Sequence, residues 1–200
     1  MNQYPEIVSL PQSDSAYQCL VGEYSACCES ITIGGTEVAV FPPQFLPLYL
    51  CYHIWHHVKT GGIGFRQLCD WTLVLHRLAD KLDTERLRSD LQLVGMLPEW
   101  RILGSVLVQR MGLPASSFPL YEELPEKKVD FLVRLFVEDG NFSIKHDWLG
   151  FKGPYFFRKL RSFCIHTCRY LLLARVSFPV FLRTYKSWMK IRWTKFEEGK

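Results

Sequence analysis

Several features that mark secreted, membrane-spanning or disulfide-stabilised proteins are missing from this sequence. The first residues, MNQYPEIVSL, contain neither a basic segment nor a long apolar run, which argues against a secretory signal. The seven cysteines are an odd number scattered through helical patterns, so we expect reduced thiols and a cytoplasmic setting. No stretch of about 18 residues is uninterruptedly apolar, so we expect no transmembrane helix and no stable membrane insertion.

The common nucleotide-binding and catalytic fingerprints are also missing. There is no P-loop, no dinucleotide-binding glycine pattern and no nucleophile elbow, and we find no internal repeat or low-complexity segment. The sequence therefore does not belong to the protein classes that these short motifs identify.

Acidic residues are absent from most of the last quarter of the chain. The whole sequence has 24 Lys and Arg against 20 Asp and Glu, but the segment from Trp148 to Phe196 has eleven basic residues and no acidic one. Residues 148–200 carry a net charge of +10, and residues 1–147 carry −6. This basic tail could bind an anionic partner such as nucleic acid or lipid. The favoured alternative is two amphipathic helices that pack through their aromatics and leave Lys and Arg in solvent.

What is present indicates a mainly α (α+β) fold, a helical bundle of about seven helices with a small N-terminal β-hairpin. β-branched runs on either side of Gly34-Gly35 predict the hairpin. Because a lone hairpin is marginal in water, it should lie against the helices or belong to a larger sheet that this chain does not contain. Apolar periodicity and helix stop signals predict helices near residues 45–60, 64–82, 84–94, 98–111, 126–139, 155–176 and 179–195, with a further short helix near 16–28. We divide the chain into 1–41, a helical domain at 42–147, and basic C-terminal helices at 148–200 packed on it.

Histidines cluster on the first long predicted helix. His53 and His57 are four residues apart and share a face, which is the spacing that lets two imidazoles bind one metal ion. No Glu lies between them and no third ligand is near in sequence, so a structural role or a polar role at a pocket is favoured over a metal. Cys164 and Cys168 have the same spacing on a later helix, and zinc is not favoured there either.

A glycine-rich turn leads into the next helix. The run from Gly61 to Phe65 ends at Arg66, so the backbone N–H groups and the guanidinium could receive a phosphate or a carboxylate. Asp70 follows Arg66 by four residues, so a simple ion pair along the helix is an equally good interpretation. The residues alone leave both open.

These residues also carry a family resemblance. The run PPQFLPLYLCYHIWHHVKTGGIGFRQLCDW, then Gly140-Asn141-Phe142, then Val176 to Pro179, resembles an uncharacterised bacterial nucleotidyltransferase family over about residues 31–195. The most specific part is H-x-x-x-H…G-G-I-G-x-R-Q-L-x-D-W, from His53 to Trp71.

The resemblance implies an α/β nucleotidyltransferase core followed by a helical region. Such a core needs a Gly-Ser turn and a D-x-D type of carboxylate set that holds Mg²⁺, with a nucleoside triphosphate (NTP) and an acceptor as substrates. No Gly-Ser followed by such carboxylates occurs before residue 42, and Gly104-Ser105 falls within a predicted helix. The resemblance therefore implies the C-terminal part of the enzyme, a truncated or catalytically incomplete form in which residues 1–41 are a remnant of the α/β region.

Two hypotheses follow. In the first, the chain is the helical part of a nucleotidyltransferase, and His53, His57, Arg66 and Asp70 line a cleft that faces a catalytic core; Arg66 contacts phosphate or acceptor, and Asp70 orients it. In the second, the chain is a non-catalytic helical interaction module whose basic tail binds a partner or an anionic surface.

Overall fold

A computed structural model describes residues 11–60, 63–139 and 155–197. These residues form eight α-helices and one antiparallel hairpin, which confirms the mainly α fold with a small hairpin. The helices are α1 (Pro11–Ser25), α2 (Leu46–Thr60), α3 (Phe65–Leu78), α4 (Thr84–Leu93), α5 (Leu97–Arg110), α6 (Glu126–Asp139), α7 (Tyr155–Ala174) and α8 (Phe178–Glu197), and the strands are β1 (Glu29–Ile33) and β2 (Thr36–Val40).

The first helix is longer than the sequence pattern indicates. Residues 11–15 have the composition of a turn, yet they belong to α1, which begins at Pro11. Proline is well suited to the first helical position because the N–H that it lacks would have no partner inside the helix. The short strand that the sequence allows at Glu6 to Leu10 lies outside the described residues.

The hairpin forms where the glycine pair predicts it. β1 and β2 pair in the register Ile31↔Val38 and Ile33↔Thr36, and Gly34 and Gly35 have φ of 57° and 85°, a conformation that favours glycine. Every residue of β1 is exposed, and so is β2 up to its last residue. The expectation that the hairpin lies against the helices is therefore wrong, whereas its membership of a larger sheet stays a prediction.

The described residues divide into two compact units. The amino-terminal unit contains Pro11–Ile54 and Arg66–Leu124. Of the described residues, the carboxyl-terminal unit contains 55–60, 63–65, 125–139 and 155–197. The division into residues 1–41, 42–147 and 148–200 stays a prediction.

Three aromatic rings form the centre of the amino-terminal unit. The centroids of Trp71 on α3 and Trp100 on α5 are 5.3 Å apart at an interplanar angle of 80°, and Phe118 lies 5.8 Å from Trp71 and 5.0 Å from Trp100. Each indole N–H donates to a backbone carbonyl, from Trp71 to Pro47 at 3.0 Å and from Trp100 to Pro119 at 2.8 Å. Edge-to-face packing with satisfied N–H groups allows both indoles to be buried without leaving a polar atom unbonded.

The Gly104-Ser105 pair has a structural role in this unit. An added Cβ at Gly104 would lie 2.4 Å from the ring of Phe118, so only glycine leaves room for that ring. The Ser105 hydroxyl accepts from the backbone N–H of Leu124 at 3.0 Å and lies 3.0 Å from the carbonyl of Glu122, to which it can donate. The pair therefore fixes the loop after α5 and is not a phosphate-binding turn.

The junction between α3 and α4 is set by a helix cap. Asp83 accepts from the backbone N–H groups of Glu85 and Arg86, both at 3.0 Å, which confirms it as the N-cap of α4. The side chain of Gln44 donates to the carbonyl of Asp83 and accepts from its N–H. A short 3-10 helix precedes this cap, so α3 ends at Leu78, earlier than the predicted Leu82.

The carboxyl-terminal unit packs α6 with α7 and α8. Lys128 on α6 donates to the carbonyl of Val176, between α7 and α8, at 2.7 Å. Trp188 on α8 is buried against Phe163 and Tyr170 of α7, with centroid separations of 5.1 and 5.5 Å. Tyr170 and Trp188 thus serve as core, as the favoured interpretation of the tail predicts, whereas Phe157 and Trp193 are exposed.

Candidate functional site

Helix α2 is buried over most of its surface. The spacing of Phe45, Leu48, Tyr52 and Trp55 predicts a broad apolar face, and all four are buried. Cys51 and Ile54 are buried as well. A narrow stripe remains open, and two of its members are histidines of the first hypothesis: His53 is exposed and His57 is half-buried. Both imidazoles therefore reach the surface of an otherwise apolar helix.

The environment of His53 favours its neutral form. Neighbouring atoms partly desolvate the ring, which lowers the pKa of His53 below the ordinary 6.5. At neutral pH its imidazole then offers one hydrogen-bond donor and one acceptor and carries no charge. Such a group suits an uncharged sugar or base better than a phosphate.

Arg66 and Asp70 lie on the open face of α3. Both are exposed, whereas Leu68 and Trp71 between and beside them are fully buried. In the described part of the chain no ion pair or hydrogen bond joins Arg66 to Asp70, so the interpretation as a simple helix pair is wrong. The guanidinium and the carboxylate are one turn apart on the helix, and each is accessible to an external group.

The residues on either side of the turn before α3 are buried. Lys59 lies in the last turn of α2 and is buried, and Ile63 after the turn is fully buried. Gly61 and Gly62 lie outside the described residues, so the anion-binding turn itself stays a prediction. The structure therefore shows packed residues on both sides of the turn that precedes Arg66.

Sequence reasoning missed a buried acid and a buried thiol in the amino-terminal unit. Cys51 on α2 is fully buried, and burial together with the negative charge of Glu99 raises the pKa of its thiol. The thiol therefore stays protonated and is a poor nucleophile. The signal was available: Glu99 precedes Ile102, Leu103 and Val106 at helical spacings, which places it on the apolar side of α5.

A second missed group is a charge network between α1 and α4. The Tyr24 hydroxyl donates to Asp90 at 2.6 Å, and Arg86 forms ion pairs with Asp90 at 3.0 Å and with Glu23 at 2.6 Å. Burial and the bond to Asp90 raise the pKa of Tyr24 to about 12. Asp90 falls between Leu87 and Val94 on the buried side of α4, so this network stabilises the unit.

The described residues form neither a metal-binding cluster nor a membrane-spanning helix. No three His, Cys, Asp or Glu side chains within residues 11–60, 63–139 and 155–197 come together as a group that could hold a metal ion. Among the helices that the structure describes, none is both long and apolar enough to cross a membrane.

Comparison with known proteins bears on residues 10–108. These residues match the model of a family described as "uncharacterised nucleotidyltransferase". The match includes the motif from His53 to Trp71, so the resemblance inferred from that motif is confirmed. It begins earlier than the expected residue 31 and ends at 108, before the expected 195. No curated protein and no solved structure matches the chain.

Proposed function

Because residues 10–108 place the chain in the uncharacterised nucleotidyltransferase family, we propose that it provides a substrate-binding helical region for nucleotidyl transfer. The substrates are an NTP and an acceptor that carries a hydroxyl group. The observation that supports this proposal is the exposure of Arg66 and Asp70, one helical turn apart and not paired with each other in the described structure.

Each proposed residue has a chemical task that its environment allows. The guanidinium of Arg66 can form two parallel hydrogen bonds with a phosphate, which positions the nucleotide and offsets its charge. The carboxylate of Asp70 can accept a hydrogen bond from a ribose or acceptor hydroxyl. The neutral imidazole of His53, in the same unit as Arg66 and Asp70, can bond to an uncharged group of a substrate. His57, in the carboxyl-terminal unit, stays a separate polar candidate on α2.

Mg²⁺ belongs to the proposal through the family alone. Nucleotidyl transfer ordinarily uses Mg²⁺ held by carboxylates to neutralise the developing charge on phosphate. The described residues contain no group of three His, Cys, Asp or Glu side chains that could hold it, so they do not fit the ion. We therefore assign Arg66, Asp70, His53 and His57 to substrate positioning only.

Nucleotide binding tests the proposal directly. Titration calorimetry of the full chain with each of ATP, GTP, CTP and UTP in the presence of Mg²⁺ should show binding of at least one nucleotide. Arg66→Ala should weaken that binding about tenfold or more, and Arg66→Lys should weaken it less, because the charge remains while the paired donors are lost.

Arg77 supplies the matched control. It is an exposed arginine on the same face of α3, about 16 Å farther along the helix axis. Arg77→Ala should leave the dissociation constant within about twofold. Equal losses for Arg66→Ala and Arg77→Ala would mean that general positive charge attracts the nucleotide, and the assignment of Arg66 would then be wrong.

Stability measurements separate binding from folding. Arg66 and Asp70 are exposed, so Arg66→Ala and Asp70→Ala should each change the free energy of unfolding by less than about 0.5 kcal/mol. A drop of several degrees in the melting temperature of Arg66→Ala would show a structural role and would contradict the substrate assignment.

A second candidate function is a non-catalytic interaction module that works through the basic tail. The observation that favours it is the run of eleven basic and no acidic residues from Trp148 to Phe196. Pyrophosphate release distinguishes the two candidates. Release by this chain with an NTP and Mg²⁺ would contradict a purely non-catalytic module, whereas failure to bind any nucleotide would contradict the first candidate.

A further inference from the structure

Helix α8 is apolar on two sides. Its inner side is buried in the carboxyl-terminal unit, where Val180 and Trp188 are 2% and 4% exposed. On the opposite side four large apolar side chains are exposed: Phe178 at 60%, Leu182 at 37%, Met189 at 36% and Trp193 at 64%. A helix that only needed to pack on its unit would carry polar residues on its outer side.

The four exposed side chains form one continuous strip. With a turn of about 100° per residue, Phe178, Leu182, Met189 and Trp193 fall within an arc of about 60°. Lys186 and Lys190 are exposed along one edge of this arc. We call these six residues the α8 outer face.

Most charges on α8 are basic. No Asp or Glu occurs between Trp148 and Phe196, and the first acidic residue of the helix is Glu197, at its carboxyl end. An apolar strip bordered by lysines is typical of helices that lie in the interface of an anionic bilayer. The lysine stems extend along the apolar surface while the ammonium groups reach lipid phosphates.

The composition of the strip favours lipid over single-stranded nucleic acid as the partner. Single-stranded nucleic acid is bound by stacking bases on aromatic rings, and Leu182 and Met189 offer no ring for stacking. Both side chains are instead suited to the boundary between headgroups and acyl chains, next to Phe178 and Trp193.

We propose that the α8 outer face docks onto the surface of an anionic membrane. Phe178, Leu182, Met189 and Trp193 lie at the acyl boundary, and Lys186 and Lys190 bind the headgroup phosphates. The helix lies along the surface and does not cross the bilayer. None of these six residues is among those proposed to bind nucleotide, so either proposal can fail without the other.

Vesicle sedimentation of the full chain tests this docking. The wild type should sediment with vesicles of phosphatidylcholine that contain phosphatidylglycerol, and much less with phosphatidylcholine alone; added salt should weaken the binding. Leu182→Glu and Met189→Glu should each reduce the bound fraction by more than tenfold. Lys186→Ala combined with Lys190→Ala should reduce the partition coefficient on the order of tenfold, because each lysine near an anionic surface contributes several-fold.

Leu93 provides the matched control. It is 58% exposed at the end of α4, so Leu93→Glu makes the same change of polarity and charge away from α8. Leu93→Glu should sediment as the wild type does. An equal loss in Leu93→Glu and Leu182→Glu would overturn the assignment to α8. Circular dichroism and melting temperature should be unchanged in these variants, since every substituted position is exposed.

The depth of Trp193 gives an independent readout. Vesicles with brominated acyl chains should quench part of the tryptophan fluorescence of the wild type, and that part should disappear in Trp193→Phe, which keeps an apolar ring for binding. Quenching that persists in Trp193→Phe would overturn the proposal. So would an absence of vesicle binding, tighter competition by a single-stranded oligonucleotide, or a vesicle-free dimer that Leu182→Glu dissociates.

Discussion

The two units use charge in different ways. In the amino-terminal unit charges of both signs meet, as in the network of Arg86, Asp90 and Glu23, and in the ion pair between Arg101 and Glu122. In the carboxyl-terminal unit, α7 and α8 carry basic residues and no acidic one before residue 197, and an apolar strip lies in solvent beside two lysines.

The difference shows which charges belong to the fold. Asp90 is buried and bonded, so the amino-terminal unit depends on it, whereas Lys186 and Lys190 are exposed and carry like charges at four-residue spacing. Charges that do not stabilise a structure are the ones available to external partners. The predictions below compare substitutions in the two units, from the largest expected effect to the smallest.

The largest contrast is between two tryptophans. Trp71 has no exposed surface, and Trp193 is 64% exposed. Trp71→Ala should lower the free energy of unfolding by about 3–5 kcal/mol, because it leaves a cavity beside Trp100 and Phe118. Trp193→Ala should change it by less than about 0.5 kcal/mol. Urea denaturation measures both values, and comparable losses would refute the distinction between core and outer face.

Removing a charge should lower the stability of the amino-terminal unit but not that of the carboxyl-terminal unit. Asp90→Ala leaves the buried hydroxyl of Tyr24 without its acceptor and Arg86 with one partner fewer, so the free energy of unfolding should fall by about 2–3 kcal/mol. Lys186→Ala should be neutral or slightly stabilising, since it relieves repulsion with Lys190. Chemical denaturation of both variants decides the point; a large loss in Lys186→Ala would show a structural charge on α8.

A pair of helical glycines tests the close packing of the amino-terminal unit. Gly104→Ala should destabilise it by about 1–3 kcal/mol, because the new methyl group meets the ring of Phe118. Gly22 in α1 is exposed and has no atom within 4 Å of an added Cβ. Gly22→Ala should therefore stabilise the chain by about 0.5–1 kcal/mol. Thermal melting gives the signs, and two shifts in the same direction would contradict this packing.

The last prediction is a dependence of stability on alkaline pH. The folded chain holds the phenolic proton of Tyr24 more tightly than the unfolded chain does, with a pKa of about 12 against the ordinary 10. This contribution is intact below pH 10 and is lost as the pH rises towards 12, by about 1 kcal/mol at pH 11. Denaturation of the wild type and of Tyr24→Phe across this range isolates the loss, which should be missing from the variant.

Much of the fold could be predicted because its signals are local. The glycine pair required a hairpin at residues 34–35, Asp83 capped α4, and apolar spacing gave α6 its observed bounds from Glu126 to Asp139. The start of α1 was mistaken because turn-forming residues also suit a helical first turn. The expectation that the hairpin packs on the helices was wrong because the burial of a hairpin depends on residues that are distant in sequence.

The residues of the candidate site could be predicted from the sequence, but their exposure and their pairing could not. The motif from His53 to Trp71 was enough to find the family, yet only the structure shows Arg66 and Asp70 exposed without an ion pair between them. Asp90 and Glu99 were overlooked because a charged residue is ordinarily assumed to be solvated, although their spacing placed them on apolar faces.

The sequence by itself determined the helices, the hairpin turn, the family and the one-sided charge of the tail, since each depends on neighbouring residues or on composition. The tertiary structure decided which apolar and charged side chains are covered. Trp71 and Trp188 are buried, while Trp193, on the same helix as Trp188, is not. Whether a helix face is buried depends on which other elements pack against it. The spacing of apolar residues identifies the face but does not show which element covers it.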